Sequence, residues 1–392
     1  MPVRMLHLAD LHLGYAAPFL PASLAGAWRE ERDRRLEHTV DWALQQPRRP
    51  DLVVVAGDLF DRPDPEPALA WRTMAALRRL VDAGLAVVTV SGGHDEWTDP
   101  SSVYRRYGCE WPGLLIREPD PSAFGPLLVG GEKVYLYGAA FTGGWRPASR
   151  PITQLPPRSA RGGIHVGLFH ARLTGLSAGM PEAGPASDRA LWIDGAALAG
   201  AGYDYVALGC VHRYLAISLG RTLAVYPGPV DGRSFDDPGT GHYVVVDLQE
   251  GEPPRLRREA VPVRPLLSVS IRAGAPGLSS ARTIASHLQA RLGAVRPVLR
   301  LVLTGDGEGG AALDAGELKA LLAPACFYLE IEDRTCPVDE RRLASLAARE
   351  DALGRLAASA LETWREKGSA DRLPVLQDAW RLAAGALEDA LP

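Results

Sequence analysis

The sequence predicts an α/β protein in which two β-sheets pack face to face with helices outside. Strand and helix patterns alternate regularly from Val3 to Val90, which is typical of a parallel sheet with right-handed crossovers. Short apolar runs separated by Gly and Pro follow, and they indicate a second, more antiparallel sheet. A further alternation of strand and helix patterns after Val263 predicts a small additional α/β module.

The composition indicates a soluble globular chain. Its 392 residues carry a formal net charge of −4 and 46% hydrophobic residues, which is enough for two or three domains. The mild acidity argues against a generally basic nucleic-acid surface, although a local arginine patch stays compatible with it. The four cysteines include no Cys-x-x-Cys pair, so we expect a reduced, cytoplasmic setting. No stretch approaches the length and hydropathy of a membrane span or a leader peptide.

The first part of the chain has the pattern of a βαβαβ unit. Alternating apolar residues predict a strand over Val3–Leu8, and helical spacing predicts an amphipathic helix that ends near Gln46. The five apolar residues Leu52–Ala56 are typical of a buried parallel strand. A second helix is predicted over Ala70–Val81, followed by a third strand over Leu85–Val90.

The rest of the chain is predicted to form the second sheet, the small module and a helical end. We predict a helix over Trp192–Ala199. The small module has a strand, helix, strand, helix, strand pattern, and only helix signals remain from Asp339 onward. The domain boundaries are therefore expected at 1–262, 263–333 and 334–392. In the middle of the chain, strands are predicted over Gly113–Ile116, Leu127–Val129, Lys133–Gly138, Ile164–Phe169 and Tyr205–Leu208. The consecutive strands predicted for the second, more antiparallel sheet are Leu215–Leu219, Leu223–Tyr226 and Tyr243–Leu248.

Polar residues that can bind a metal follow the ends of the predicted strands. Ligands of open α/β sheets bind at the carboxyl ends of the strands, so we expect these side chains to meet. Imidazole and carboxylate groups are ligands for divalent metals. Asp58 can bridge two ions, and a pair of ions can clamp the attacking and leaving oxygens of a phosphoryl group. The residues are Asp10, His12, Asp58, His94, Asp95, His170, Cys210 and His212.

Five of these segments, in order, resemble the motifs of the calcineurin-like metallophosphoesterases. The segments DLH, GDLFD, GGHD, the His after Ile164–Phe169, and GCVH resemble DxH, GDxxD, GNHD, H and GHxH. A finer similarity is to the SbcD-type and YhaO-like DNA repair exonucleases. It is carried by HLADLHLG, VVAGDLFDRP, YDYVALG and YPGPVDGRSFDDPGTGHY. The resemblance implies a four-layer metallophosphoesterase β-sandwich flanked by helices, with a small α/β capping domain and C-terminal helices.

The resemblance also implies a role for each residue of the motifs. A first metal would be held by Asp10, His12, Asp58 and His212, and Asp58 would bridge to a second metal bound by His170. His94 would stabilise the developing charge or protonate the leaving oxygen, with Asp95 orienting it. Manganese is the expected ion.

Two positions depart from the family motifs, and both belong to the second metal. Gly93 stands where the family has a metal-binding Asn, and Cys210 stands where it has a His. A thiolate at Cys210 favours zinc or iron over manganese. We therefore expect one well-held metal and a weak, altered or empty second site.

Three functions stay open at the level of sequence. The first is a metal-dependent phosphodiesterase, by resemblance a nuclease acting on DNA with an SMC-like coiled-coil ATPase that docks on the C-terminal helices; a homodimer is a further option. The second is a catalytically degenerate member that binds DNA or the ATPase. The third is a phosphatase or phosphodiesterase for a small molecule. Two residues also have purely structural interpretations. Cys210 is equally expected as an ordinary buried thiol, and His7 is expected to be a packed residue of the core.

Overall fold

The computed structural model divides the chain into two compact units, Met1–Pro265 and Leu266–Pro392. The structure describes residues 1–142, 150–176, 189–273, 275–278, 280–304, 314–334, 344, 347–349 and 352–367. Within these residues, no helix has both the length and the apolar character needed to cross a lipid bilayer. The predicted boundaries at 262 and 333 stay predictions, and most of the predicted helical region 334–392 lies outside the described residues.

The first unit contains thirteen described strands and five described helices. The strands are β1 (Val3–Leu8), β2 (Leu52–Ala56), β3 (Ala86–Val90), β4 (Leu114–Ile116), β5 (Ser122–Val129), β6 (Glu132–Ala139), β7 (Ile164–Thr174), β8 (Leu191–Asp194), β9 (Tyr205–Gly209), β10 (Leu215–Leu219), β11 (Thr222–Tyr226), β12 (His242–Leu248) and β13 (Arg255–Ala260). The helices are α1 (Ala22–Asp33), α2 (Arg35–Gln45), α3 (Pro67–Asp82), α4 (Val103–Tyr107) and α5 (Gly195–Ala201).

The first sheet has six strands in the order β13-β12-β1-β2-β3-β4. The strands β1 to β4 are parallel to one another, which confirms the predicted βαβαβ unit. The prediction that Tyr243–Leu248 belongs to the second sheet is wrong, because β12 pairs antiparallel with β1. The edge strand β13 was not predicted. Its sequence is rich in arginine, and only two of its positions are half-buried, so it lacks the apolar alternation that predicts a strand.

The second sheet has the order β10-β11-β9-β7-β6-β5, with β8 paired to β7. The prediction of a more antiparallel sheet is wrong, since β6, β7, β8, β9 and β11 pair in parallel and only the two outer pairs are antiparallel. The predicted helix over Trp192–Ala199 is a strand up to Asp194 and a helix afterwards. The Asp194 side chain caps this helix by accepting a hydrogen bond from the Ala196 amide, so the element changes at that residue.

The two sheets share a core between them, and this arrangement confirms the predicted fold class. In β2, Leu52, Val54 and Ala56 pack toward the second sheet, while Val53 and Val55 pack against the helices α2 and α3. Both faces of the strand are therefore buried, which explains its continuous apolar sequence. A third cluster covers the far face of the second sheet and includes residues of α5, so the unit has helices outside both sheets.

The second unit contains a three-stranded parallel sheet with two helices packed on one face. Its strands are β14 (Leu266–Arg272), β15 (Val298–Thr304) and β16 (Tyr328–Asp333), and its helices are α6 (Ala281–Leu292), α7 (Ala315–Leu322) and α8 (Ala352–Lys367). The Ser280 and Thr283 side chains form a capping box at the start of α6, and Asp314 caps α7. The predicted order of strand, helix, strand, helix, strand is confirmed for this module.

Candidate metal centre

The candidate site lies where the carboxyl ends of strands from both sheets meet. Asp10 and His12 follow β1, Asp58 follows β2, and His212 follows β9. His170 lies inside β7, level with Gly209 of β9. The strand continues past His170 because its last four residues pair with β8, so the predicted strand end at this position is too early. The loops after β1 and β2 are joined by main-chain hydrogen bonds, including His12 N to Asp58 O at 2.9 Å.

The backbone at this edge is strained where the site residues lie. Asp10, His12, Asp58 and Cys210 have φ values of 55°, 45°, 50° and 96°, and Arg296 is the one other non-glycine residue with a positive φ among those the structure describes. Each such residue costs about 1–3 kcal/mol and is usually held in place by the surrounding structure at functional sites. Gly57 precedes Asp58 with a φ of 83°, and a Cβ atom there would lie 2.5 Å from Nδ1 of His170. Glycine is therefore required for the turn that presents Asp58.

Asp and His side chains of this edge form three overlapping groups that could each hold a metal ion. In each group, one ligand atom from every residue lies within 4.8 Å of the others. Asp58 belongs to two of the groups, and its Oδ2 atom is 3.6 Å from Nε2 of His12 and 3.4 Å from Nε2 of His170. The first group is Asp10, His12 and His212; the second is Asp10, Asp58 and His170; the third is His12, Asp58 and His94.

The four histidines all have their Nδ1 atoms next to an oxygen, which leaves Nε2 to face the centre of the site. A carbonyl oxygen only accepts, so His94 and His170 donate Nδ1–H to such atoms. Partners of this kind fix the tautomer and ring orientation of metal-binding histidines. The Nδ1 contacts are His12 with Asp61 Oδ1 at 3.3 Å, His94 with Asp61 O at 3.1 Å, His170 with Ala56 O at 3.0 Å and His212 with Asp237 Oδ2 at 2.7 Å.

The charges of the site indicate a place for a cation. Asp10 is fully buried, and its Oδ2 atom has no hydrogen-bond partner among the described residues. Burial raises the pKa of Asp10, and the neighbouring Asp58 raises it further, against the opposing effect of His212 and His170. The Nε2 atoms of His12 and His212 face each other at 3.4 Å, although two lone pairs cannot hydrogen-bond without a shared proton or ion. The residues therefore fit a divalent metal.

His170 and Cys210 are in contact beside the second group. Burial opposes a charge on His170, but Asp58, a hydrogen bond with Cys210 and Asp10 outweigh it and raise the pKa of the imidazole. The main-chain amide of Cys210 donates to Oδ1 of Asp10 at 2.9 Å. Among the described residues, none of the three metal-binding groups includes the Cys210 sulfur. Its role as a ligand therefore stays a prediction.

Gly93 is tightly packed by the main chain of a neighbouring segment. A Cβ atom at this position would lie 1.9 Å from the carbonyl oxygen of Arg189 and 2.4 Å from its Cβ atom. The space that an asparagine side chain would need at position 93 is thus already filled. Restoring the family's asparagine requires a movement of the chain at Arg189, which sequence alone does not reveal.

Asp95 supports the site through the backbone and not through the His94 ring. Its Oδ2 atom accepts from the Leu59 amide at 2.8 Å, the Phe60 amide at 3.2 Å and the Tyr104 hydroxyl at 2.7 Å. Burial and the nearby Asp58 raise the pKa of Asp95 to about 6, although these donors oppose the shift. Its oxygens hold the loop after β2, and that Asp95 orients His94 stays a prediction.

Sequence reasoning did not single out three further residues of the site. Asp61 contacts both His12 and His94, and it is the last residue of the GDLFD motif, which could have identified it. Asp237 and Arg233 lie in the long segment Tyr226–Tyr243 that carries part of the resemblance, but nothing in its pattern marks them. Both residues line a cavity of about 740 Å³ together with Asp58, His94, His170, Cys210 and His212.

The comparison with family models agrees with this fold and this arrangement of ligands. Residues 3–170 match the family model of the calcineurin-like phosphoesterases, and the chain carries a domain of this family. The predicted resemblance is thereby confirmed.

Curated relatives extend the similarity beyond this domain. The chain is 25% identical to the uncharacterized metallophosphoesterase YhaO of Bacillus subtilis over 261 residues, which cover 64% of this chain and 58% of YhaO. It is 26% identical to the DNA double-strand break repair protein Mre11 of Aeropyrum pernix over 356 residues, covering 84% and 80% of the two chains. It is 27% identical to the SbcD component of the nuclease SbcCD of Bacillus subtilis, covering 64% and 67%. The similarity to YhaO thus spans a little over half of that relative's length.

Proposed function

We propose that this chain is a metal-dependent phosphodiesterase that cleaves DNA as the nuclease subunit of a repair complex. The observation that carries the proposal is the set of three overlapping Asp and His groups, two of which share Asp58. The names of the relatives, a double-strand break repair protein and a nuclease component, support DNA as the substrate. An SMC-like coiled-coil ATPase is the partner that we propose by the same resemblance.

The described residues suit the binding of a divalent metal and a phosphodiester. Asp10, His12, Asp58 and His212 would hold one ion, with Asp58 and His170 available to a second. Such an ion, when bound, polarises a phosphoryl oxygen and lowers the pKa of a coordinated water. Manganese is the ion we propose for the first position, and zinc or iron suits the second if Cys210 binds there as a thiolate.

His94 is the residue that we propose acts on the leaving group. Its side chain is 23% exposed and lines the cavity, while its amide donates to Oδ1 of Asp58 at 2.8 Å. Because Nδ1 is directed to the Asp61 carbonyl, Nε2 is the nitrogen available to substrate. In this position the imidazole can stabilise charge on the leaving oxygen or donate a proton to it.

The cavity wall is suited to a polyanionic substrate. Four arginines line it, at positions 172, 189, 213 and 233, alongside the acidic residues Asp236 and Asp237 and the metal-binding groups. Arg189 and Arg213 are exposed, so their guanidinium groups are accessible to phosphates outside the reacting one. Contacts of this kind position the backbone of DNA without reading its sequence.

The experiment that tests the proposal is hydrolysis of bis(p-nitrophenyl) phosphate and of linear duplex DNA with added Mn²⁺. We expect turnover with the metal and none after chelation, and we expect Asp58→Asn to lower kcat/KM by about 1,000-fold or more because it removes a carboxylate shared by two groups. His94→Ala should lower kcat by about 100-fold while leaving metal content unchanged.

The matched control for His94→Ala is His287→Ala, which changes an exposed histidine of α6 in the other unit and should leave kcat unchanged. Absence of turnover with Mn²⁺, Mg²⁺, Zn²⁺ or Fe²⁺ on both substrates would contradict the proposal. Hydrolysis of small phosphate esters without any cleavage of DNA would instead favour a phosphatase for a small molecule.

A second function is favoured by one observation, the filling of the Gly93 position by Arg189. Loss of a side-chain ligand there suits a member that has kept one metal as a structural element and binds DNA or the ATPase without cutting. This alternative predicts DNA binding together with a single bound ion and no turnover.

A further inference from the structure

The guanidinium group of Arg233 lies against the first metal-binding group. Its Nη1 atom is 3.2 Å from Nε2 of His12, and its Nη2 atom is 3.0 Å from Nδ1 of His212. Its Nε atom donates to Oδ2 of Asp237 at 3.0 Å. The side chain is 19% exposed and lines the cavity. Arg233 therefore has one end fixed by a carboxylate and two nitrogens directed at the site.

Arg233 contacts the His12 ring next to the atom that a metal would use. Asp61 lies next to Nδ1 of His12, so Nε2 carries the lone pair that faces the site. The same Nη1 atom is 3.4 Å from Nδ1 of His12, so it lies over the imidazole ring and close to both ring nitrogens. Arg233 thus places a positive charge beside the ligands of the first group.

The loop that carries Arg233 is held by its own hydrogen bonds. The Arg233 amide donates to the Asp237 carbonyl at 2.8 Å, and the Asp237 amide donates to the Ser234 carbonyl at 3.1 Å. At the start of the loop, Asp231 is bound by Arg35 through two contacts of 2.6 and 3.0 Å. Because both ends of the Arg233–Asp237 pair are fixed, the guanidinium is held beside the site.

Arg233 differs in this respect from the other arginines of the cavity. Arg213 is exposed, and no contact from its guanidinium to a histidine or carboxylate of the three groups is found within the described part of the chain. Arg172 packs over the Trp192 ring with its Cζ atom 5.5 Å from the ring centre. An ion at the first group would repel Arg233 more strongly than these residues, because Coulomb energy falls with distance.

We propose that the charge of Arg233 weakens the binding of a divalent ion by the first group and that its guanidinium binds a phosphate oxygen of the substrate. The guanidinium fork suits the oxygens of a phosphate group, and Asp237 keeps it directed at the cavity. The inference rests on the proposed function, since it assumes that a phosphate reaches the metal. Arg233 would then weaken the binding of the divalent ion and strengthen the binding of phosphate.

The test is a pair of calorimetric titrations on the full chain. Metal-free wild type and Arg233→Gln are first titrated with Mn²⁺, and the Mn²⁺-loaded proteins are then titrated with inorganic phosphate. We expect Arg233→Gln to bind Mn²⁺ about tenfold more tightly, because a competing positive charge has been removed. We expect the same variant to bind phosphate about tenfold more weakly.

Two further variants separate this role from a structural one. Arg213→Gln removes an arginine of the same cavity and should leave the Mn²⁺ affinity unchanged. Arg233→Lys keeps the charge without the fork, so its Mn²⁺ affinity should stay within about threefold of wild type while phosphate binds more weakly. If Arg233→Gln does not fold, Arg233→Lys still tests the predicted loss of phosphate affinity.

The outcomes distinguish the inference from the function on which it rests. Unchanged or weaker Mn²⁺ binding by folded Arg233→Gln would overturn the inference, since Arg233 would then only orient Asp237 and His212. Unchanged phosphate binding would also overturn it. If wild type binds Mn²⁺ and cleaves DNA in either case, the proposed function survives. A wild-type chain that binds no divalent ion would overturn both.

Discussion

The two halves of the metal centre are built from different kinds of contact. Around the first group, side chains hold the ligands: Asp61 lies beside His12, and Asp237 accepts from His212. Around the second group, main-chain atoms make the corresponding contacts. The Ala56 carbonyl accepts from His170, and the Arg189 carbonyl fills the space beside Gly93.

This difference explains where affinity for metal is expected. Carboxylate partners make a metal-bound imidazole more basic and fix its orientation, and the first group has two such partners. The second group has one buried histidine whose charge is balanced by Asp58, and it lacks a side-chain oxygen at position 93. We therefore infer a strong first position and a weaker second one that share Asp58.

The largest expected effect comes from a matched pair of substitutions in the two halves. His12 and His170 are both buried, and the Nε2 atom of each lies within 3.6 Å of Oδ2 of Asp58. We expect His12→Gln to weaken the tightest Mn²⁺ site by more than about 100-fold, because even the partners of such ligands contribute up to that much. His170→Gln should leave this site within about threefold of wild type. Equal losses in both variants, measured by calorimetry, would show that the halves are not distinct.

A smaller effect is expected from filling the Gly93 position. Gly93→Asn should lower the free energy of unfolding by about 1–3 kcal/mol, since its Cβ atom would overlap the main chain of Arg189. The control is Gly26→Asn in α1, where a Cβ atom would meet nothing within 4 Å and the change should stay within about 0.5 kcal/mol. Urea denaturation of the metal-free proteins measures both. A Gly93→Asn variant as stable as wild type would mean that the chain at Arg189 moves away at little cost in free energy.

The smallest expected effect compares a histidine outside the centre with those inside it. His7 is fully buried in β1, where Nδ1 is 2.9 Å from the Tyr205 hydroxyl, and burial lowers its pKa to about 3. Between this value and the unfolded value of 6.5, unfolding takes up a proton, so His7 lowers stability as the pH falls through this window.

We expect the difference in unfolding free energy between wild type and His7→Gln to change by up to about 1.4 kcal/mol per pH unit below pH 6.5, and to be constant above it. Denaturation series from pH 5.5 to pH 8, over which the change sums to no more than about 1.4 kcal/mol, measure this difference. A difference that does not vary with pH would contradict a neutral buried His7. Since His7 lies outside the three groups, the pH-dependent difference should be the same with and without Mn²⁺ above pH 6.

Sequence patterns predicted most of the core elements and the composition of the site. Apolar periodicity predicts the strands β1, β2 and β3 and the helices α6 and α7. The spacing of the apolar residues in each segment fits only one kind of element that would bury them. The membership of β12 in the first sheet could not be predicted, because it depends on a pairing with β1 across more than two hundred residues of chain. The strand β13 was missed because its arginines lie at an exposed edge.

The same limit applies to the candidate site. Strand-end positions and the resemblance brought Asp10, His12, Asp58, His170 and His212 to one place, and the structure brings these residues together in the three groups. Arg233 and the packing of Gly93 by Arg189 depend on contacts between loops distant in sequence, for which a single sequence has no periodic signal. Loop-to-loop contacts are therefore the part of this centre that only coordinates reveal.

The difference between the two halves is tested most directly by titrating the metal-free chain with Mn²⁺ while counting bound ions by elemental analysis. We predict one tight ion per chain and a second that binds at least about tenfold more weakly, with the tight ion lost in His12→Gln and retained in His170→Gln. Two ions of equal affinity, or a tight ion that is lost in His170→Gln and retained in His12→Gln, would contradict this prediction.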